Sequence, residues 1–153
     1  MLMLIPILNT TILPSHPRPL VAVALPISVN AARALADNGV RSHVGHDSTA
    51  QIASTLLGVP VPMDRTPWQP SEAPVAVVLQ LRGRPPEGTI LSTEDVERIG
   101  YDLRLLVVGE DSIEGVRNVL LRIRNGRDTV GVPLSMTEWV VDHVEPMIGG
   151  GVW

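Results

Sequence analysis

The chain has no cysteine, no phenylalanine and no lysine among its 153 residues. Without cysteine there is no disulfide and no thiolate metal site, and the composition is compatible with a reducing cytoplasm, the location we expect. Without phenylalanine, and with one tyrosine, the core must be built from Val, Leu, Ile and Ala. All 12 basic residues are arginine, and 14 residues are proline, a pattern that fits the codon bias of a GC-rich genome and concerns origin only. A net charge of −4 argues against a general nucleic-acid coat, which needs a broad basic surface. It leaves room for a small anionic ligand held by a few local arginines. Residues 1–8 are apolar, but the run is broken by Pro6, too short to span a bilayer, and without the basic flank or cleavage site of a signal peptide.

What is present fits one α/β domain with a real core. Residues 2–8 and 20–24 read as strands, separated by a proline-rich connection at 14–19. Ser28 can cap a helix through Ala36, closed by Asn38-Gly39. Residues 59–70 carry four prolines and can hold at most a short edge strand. The run Val75-Ala76-Val77-Val78-Leu79 is continuous and apolar, as in a central strand buried on both faces. Ser92 and Asp95 form a capping box before a helix ended by Gly100, and residues 103–108 read as a closing strand. Further on, Val116, Val119, Leu120 and Ile123 recur at helical spacing. Ser135 and Glu138 form a second capping box before Trp139, Val140 and Val144. These two helices are expected to pack on the domain or against a partner chain.

The string Gly45-His46-Asp47-Ser48-Thr49-Ala50 carries the most chemistry. Residues 50–57 place Ala50, Ala53, Leu56 and Leu57 on one side of a helix that Gly58 stops. With Asp47 or Ser48 as N-cap, free N–H groups and the positive end of the helix dipole lie beside His46. Such a site favours phosphate, and an imidazole there can hold a proton near neutral pH. Taken alone, such a motif is more often a capped helix with a surface histidine. His43, upstream, lies on the opposite face if the segment is extended. Arg84 and Glu87, in a loop after the apolar strand that cannot be helical, supply a cation and a carboxylate. Together with His46 they meet the needs of metal-free phosphodiester cleavage: a proton donor for the leaving oxygen and a cation for the developing charge. By spacing alone they are equally an exposed pair in a turn.

The order Leu8-Asn9-Thr10, Gly45-His46-Asp47-Ser48-Thr49, Met63-Asp64-Arg65, a valine-rich strand with Gln80, and Arg84-Pro85-Pro86-Glu87-Gly88 resembles the viral anti-CRISPR ring nucleases, small viral proteins with bacterial relatives. The resemblance covers roughly residues 3–108, and the Gly-His-Asp-Ser-Thr string and the Arg-x-x-Glu-Gly loop are its specific parts. It implies a mixed sheet of five strands flanked by helices. It implies a homodimer binding cyclic tetra-adenylate, the messenger of type III CRISPR defence, since one small subunit can hardly surround that ring. It implies His46 as general acid, Arg84 as phosphate stabiliser and Glu87 as its partner, with Asn9, Thr11, Ser48, Thr49, Arg65 and Gln80 as ligand contacts. The nucleophile is the ribose 2′-hydroxyl, and neither metal nor cofactor is needed. The products are short linear adenylates with 2′,3′-cyclic phosphate ends, which switches the signal off. The family ends near Val108, so the chain divides into an α/β domain at 1–108 and a helical extension at 109–153. A binding protein that sequesters the messenger without cleaving it is the alternative; neither nucleic-acid polymer nor membrane is expected as partner.

Overall fold

The structure is a computed structural model and describes residues 4–10, 13–86, 88, 91–125 and 130–149. Five strands form one mixed sheet: β1 (Ile5–Leu8), β2 (Leu20–Pro26), β3 (Val40–Ser42), β4 (Val75–Leu81) and β5 (Tyr101–Glu110). Their order is β2-β5-β4-β1-β3; β4, β1 and β3 pair in parallel, and β5 pairs antiparallel with both β4 and β2. The helices are α1 (Val29–Leu35), α2 (Asp47–Leu57), α3 (Thr93–Ile99), α4 (Ile113–Asn125) and α5 (Thr137–Val144). The expected α/β class and five-stranded mixed sheet with flanking helices are what the chain adopts.

β4 occupies the middle of the sheet, and Val75 through Leu79 are all buried. That is why its sequence lacks the alternation of a half-exposed strand. Its odd-numbered side chains join Ile5, Ile7, Leu105 and Val107 in the main core, together with side chains from all five helices. The even-numbered ones, Ala76 and Val78, join Leu8, Leu106, Val108 and Trp68 in a smaller cluster on the other face. Among the described residues no helix contributes to that second cluster, which includes Trp68, whose indole Nε1–H donates to the Ala73 carbonyl at 2.8 Å. Pro6 is tolerated inside β1 because the ladder to β4 is registered only at Ile7 and Leu8, beyond it.

Local signals set most helix ends. Ser28 caps α1 through its hydroxyl, which accepts from Ala31 N–H. Ser92 and Asp95 form the reciprocal capping box of α3. Two ends differ from the sequence reading. The N-cap of α2 is His46, not Asp47 or Ser48, because the Asp47 carboxylate is turned along the helix to accept from Gln51 Nε2 at 3.0 Å. The Ser135–Glu138 box does not form either. Pro133 leads into a 3-10 turn over Leu134–Met136 that contains Ser135, so α5 starts at Thr137 with Met136 as N-cap.

Beyond β5, α4 lays Val116, Val119, Leu120 and Ile123 onto the chain's own sheet. The approach is backbone to backbone at Gly109 and Gly115: a Cβ on Gly109 would stand 2.9 Å from Val116 Cα. Arg117 Nη2 reaches across to donate to the carbonyls of Ile148 and Gly149, at 3.3 and 3.2 Å, fastening the end of the described chain to α4. The segment after residue 109 therefore shares one core with the sheet.

Candidate functional site

Three parallel neighbours, β4, β1 and β3, all point their carboxyl ends at the same edge of the sheet. In open α/β sheets the crevice outside those ends is where ligands bind. The segments leaving the three strands carry Arg84, Asn9 and His46 respectively. With about 4.8 Å between neighbouring strands, the outer two lie roughly 10 Å apart across β1.

A cavity of about 570 Å³ opens at this edge, walled by Asn9, His43, Gly45, His46, Arg65 and Trp68 among others. That volume lies in the ~300–1,000 Å³ range of small-molecule sites. Leu8, Leu13 and Trp68 connect it to the second core cluster, so it opens on the sheet face that no helix covers.

His46 holds the N-cap position of α2 with extended backbone, φ −124° and ψ 130°, and its carbonyl accepts from Ala50 N–H at 2.9 Å. Its ring makes no capping bond and is exposed. The imidazole is therefore held by the backbone but left open to a ligand. Arg65 comes from the proline-rich loop, which is anchored to the His46 segment by Asp64 N–H donating to the Val44 carbonyl at 2.9 Å. Arg65 Nε donates to the Gly45 carbonyl at 3.3 Å, and its stem passes 3.5 Å from where a Cβ on Gly45 would stand. One edge of the guanidinium is thereby held, and Arg65 lines the cavity. Asp64 accepts from Thr66, and those hydrogen bonds hold its carboxyl below the usual carboxylate range.

His43 is the residue the sequence reading set aside. It lines the cavity together with His46, because β3 ends at Ser42 and strict alternation stops there. Its Nδ1 lies 2.7 Å from the Thr66 carbonyl. A carbonyl only accepts, so Nδ1 carries the hydrogen and the neutral ring keeps Nε2 as acceptor. His43 also lines an adjoining cavity of about 580 Å³ that extends towards Arg41 and Glu72. The His-x-x-His spacing was the available signal.

The expected site residues divide as follows. Asn9, His46 and Arg65 come together on one cavity. Ser48 faces a separate, small recess beside Gln51, Thr55 and Leu91. Thr49 is 8 % exposed and belongs to the buried side of α2. Gln80 is exposed on the helix-free face, where Arg104 Nη1 donates to its Oε1 at 3.1 Å. Arg84 is exposed on the loop after β4 and does not line the His46 cavity within this chain. Thr11 and Glu87 lie outside the described residues. Among the described residues, no cluster of three His, Cys, Asp or Glu is placed to hold a metal ion, and no helix is long and apolar enough to cross a membrane.

The comparison with known proteins converges on one group. The profile of the STIV B116-like family matches residues 5–103, which runs from β1 into β5 and includes every wall of the cavity. Protein 26 of Sulfolobus islandicus filamentous virus is 31 % identical over 105 residues, covering 67 % of this chain and 89 % of that protein. YddF of Bacillus subtilis is 33 % identical over 70 residues, covering 46 % of this chain and 65 % of YddF. ORF117 of Acidianus two-tailed virus is 38 % identical over 63 residues, covering 40 % of this chain and 54 % of ORF117. Among solved structures, B116 of Sulfolobus turreted icosahedral virus superimposes with a TM-score of 0.54 at 18 % identity. That superposition covers 98 % of B116 and 68 % of this chain, and it shows a shared fold. With viral and bacterial relatives alike, and a match over most of the α/β sheet, the chain belongs to the STIV B116-like family.

Proposed function

We propose that the chain is a metal-independent ring nuclease that opens cyclic tetra-adenylate and so ends type III CRISPR signalling. The observation that carries the reading is an unengaged imidazole, His46, facing the same cavity as an arginine whose stem is pinned by the backbone. RNA brings its own nucleophile, the 2′-hydroxyl beside each phosphate. A site that holds this hydroxyl in line with the leaving 5′ oxygen gains the effective-molarity advantage of an intramolecular attack. His46 protonates that oxygen, worth about 10²–10⁴-fold. Arg65 binds the phosphate, and the open N–H groups at the start of α2 add to the attraction. Asn9 supplies an orienting amide.

Arg84 stands on the same sheet edge, one strand beyond β1, where a ring wider than the cavity reaches it. Two copies about a two-fold axis match the repeated phosphates of such a ring and enclose it from both sides. In this arrangement Arg84 stabilises the charge that develops on the phosphoryl oxygens. Its absence from the cavity wall is the one observation that favours the second reading, a protein that sequesters the ring without cutting it.

The test is incubation with cyclic tri-, tetra- and hexa-adenylate in the presence of chelator, comparing the native chain with His46→Ala. Chelator-resistant cleavage of the tetramer ring, lost in His46→Ala, is the expected result. Tight retention of a ring with no cleavage selects sequestration, and cleavage abolished by chelator discards the metal-free mechanism.

A further inference from the structure

We propose that His43 is the proton acceptor for the attacking 2′-hydroxyl, so that the cavity contains an acid–base pair of imidazoles and not a lone acid. This rests on the nuclease reading above. The two histidines share one cavity wall, and three extended residues can separate their Cα atoms by at most about 11 Å. Each ring need come only within about 2.6–3.2 Å of its own oxygen, on opposite sides of the phosphorus. The proposal places the scissile phosphodiester in the cavity between them.

The hydrogen bond from Nδ1–H to the Thr66 carbonyl sets the tautomer. It leaves the Nε2 lone pair as the basic atom, in the same way that a base in a nucleophile–base pair is oriented by a third group. In the step, His43 Nε2 takes the 2′-hydroxyl proton while the 2′ oxygen bonds to phosphorus. The bond from phosphorus to the 5′ oxygen breaks, and that oxygen takes the proton of His46. His43 ends charged and His46 neutral, and exchange with solvent restores both; no co-reactant is consumed.

The charged neighbours are consistent with this division. Arg41 lies on β3 two residues before His43, and Asp64 and Arg65 approach it from the proline-rich loop. Glu72 lies in the adjoining cavity on its other side. Asp64 is held below the usual carboxylate range by Thr66, so it is already ionised where imidazoles titrate.

The informative variant is His43→Asn, whose side-chain amide can still donate to the Thr66 carbonyl but has no basic nitrogen. Single-turnover cleavage of cyclic tetra-adenylate is followed across pH, and affinity is measured with the 2′-deoxy ring, which cannot be cut by this route. The expected result is a rate lower by about 10²–10⁴-fold, loss of the acidic limb of the pH–rate profile, and affinity within about threefold of the native chain. Equal rates with the acidic limb intact overturn the proposal and leave the nuclease reading standing. A matched loss of rate and affinity with the limb retained also overturns it, since that marks a loop anchor only. A native chain inert towards the ring defeats both readings. Nitrogen NMR of the native chain gives a check independent of the variant: neutral His43 should carry its proton on Nδ1, and the Nε2–H tautomer overturns the assignment.

Discussion

Gly115→Ala tests how the helical segment is joined to the sheet. A Cβ at this position would stand 2.6 Å from the Glu110 backbone nitrogen and closer still to the Glu110 carbonyl oxygen. Both are backbone atoms of the β5 end, so no side chain can swing aside. Restoring contact distance lifts α4 from the sheet by about 1 Å, and a gap of that size forfeits a quarter to a half of the packing energy. The affected side chains are Val116, Val119, Leu120 and Ile123, all buried. At ~1.5–3 kcal/mol each they represent roughly 6–12 kcal/mol of burial, so the loss is about 3 kcal/mol. Alanine is the better helix former by about 1 kcal/mol. The net destabilisation is about 2 kcal/mol, a fall in Tm of roughly 4–8 °C for a chain of this size. Asn118→Ala, on the exposed side of the same helix, gains propensity alone and should leave Tm unchanged or slightly higher. Thermal melts by circular dichroism read both. A Gly115→Ala protein melting at or above the native temperature would refute the backbone-to-backbone contact.

Two further perturbations address the site and the scaffold. Arg65→Ala removes the proposed charge-assisted phosphate contact, ~1.5–3 kcal/mol, so ring affinity measured by calorimetry should fall roughly tenfold to hundredfold; unchanged affinity would remove Arg65 from the site. Ser92→Ala removes the hydroxyl half of the α3 capping box and leaves the backbone N–H bond to Asp95, and it should cost about 1 kcal/mol at neutral pH. The Ser92 backbone N–H and then its hydroxyl hold the Asp95 carboxyl below its ordinary range, and the variant loses the hydroxyl's share. A depressed native value means the contribution is complete above the unfolded carboxylate range and disappears as pH falls through the native value. The gap in Tm between native and variant chains should therefore narrow in acid, and a gap that widens there would contradict the assignment.

How far the sequence foretold this molecule depends on the kind of signal. β4 was legible because a strand buried on both faces needs an unbroken apolar run, and α4 because its buried residues repeat at helical spacing. The α1 and α3 starts were legible because a serine hydroxyl capping a backbone N–H is a local interaction. β3 was not, since three residues, one of them Arg41, present no pattern. The start of α2 was misplaced because the choice among His46, Asp47 and Ser48 turned on where the Asp47 carboxylate went, to Gln51. At the candidate site, His46, Asn9 and Arg65, named from their order along the chain, line one cavity. His43 lines it too, although alternation carried past the end of β3 had set it on the opposite face. The clustering of Ser48, Thr49, Gln80 and Arg84 with His46 depends on contacts that a resemblance implies but that one chain does not make on its own cavity.

The most direct test of the account is the fate of solvent oxygen when cyclic tetra-adenylate is cut in water enriched in heavy oxygen. Attack by the 2′-hydroxyl conserves every atom of the ring, so the initial linear product should end in a 2′,3′-cyclic phosphate, keep the mass of the ring and carry no label. Label in that product, or a ring that survives intact with the native chain in excess, would contradict it.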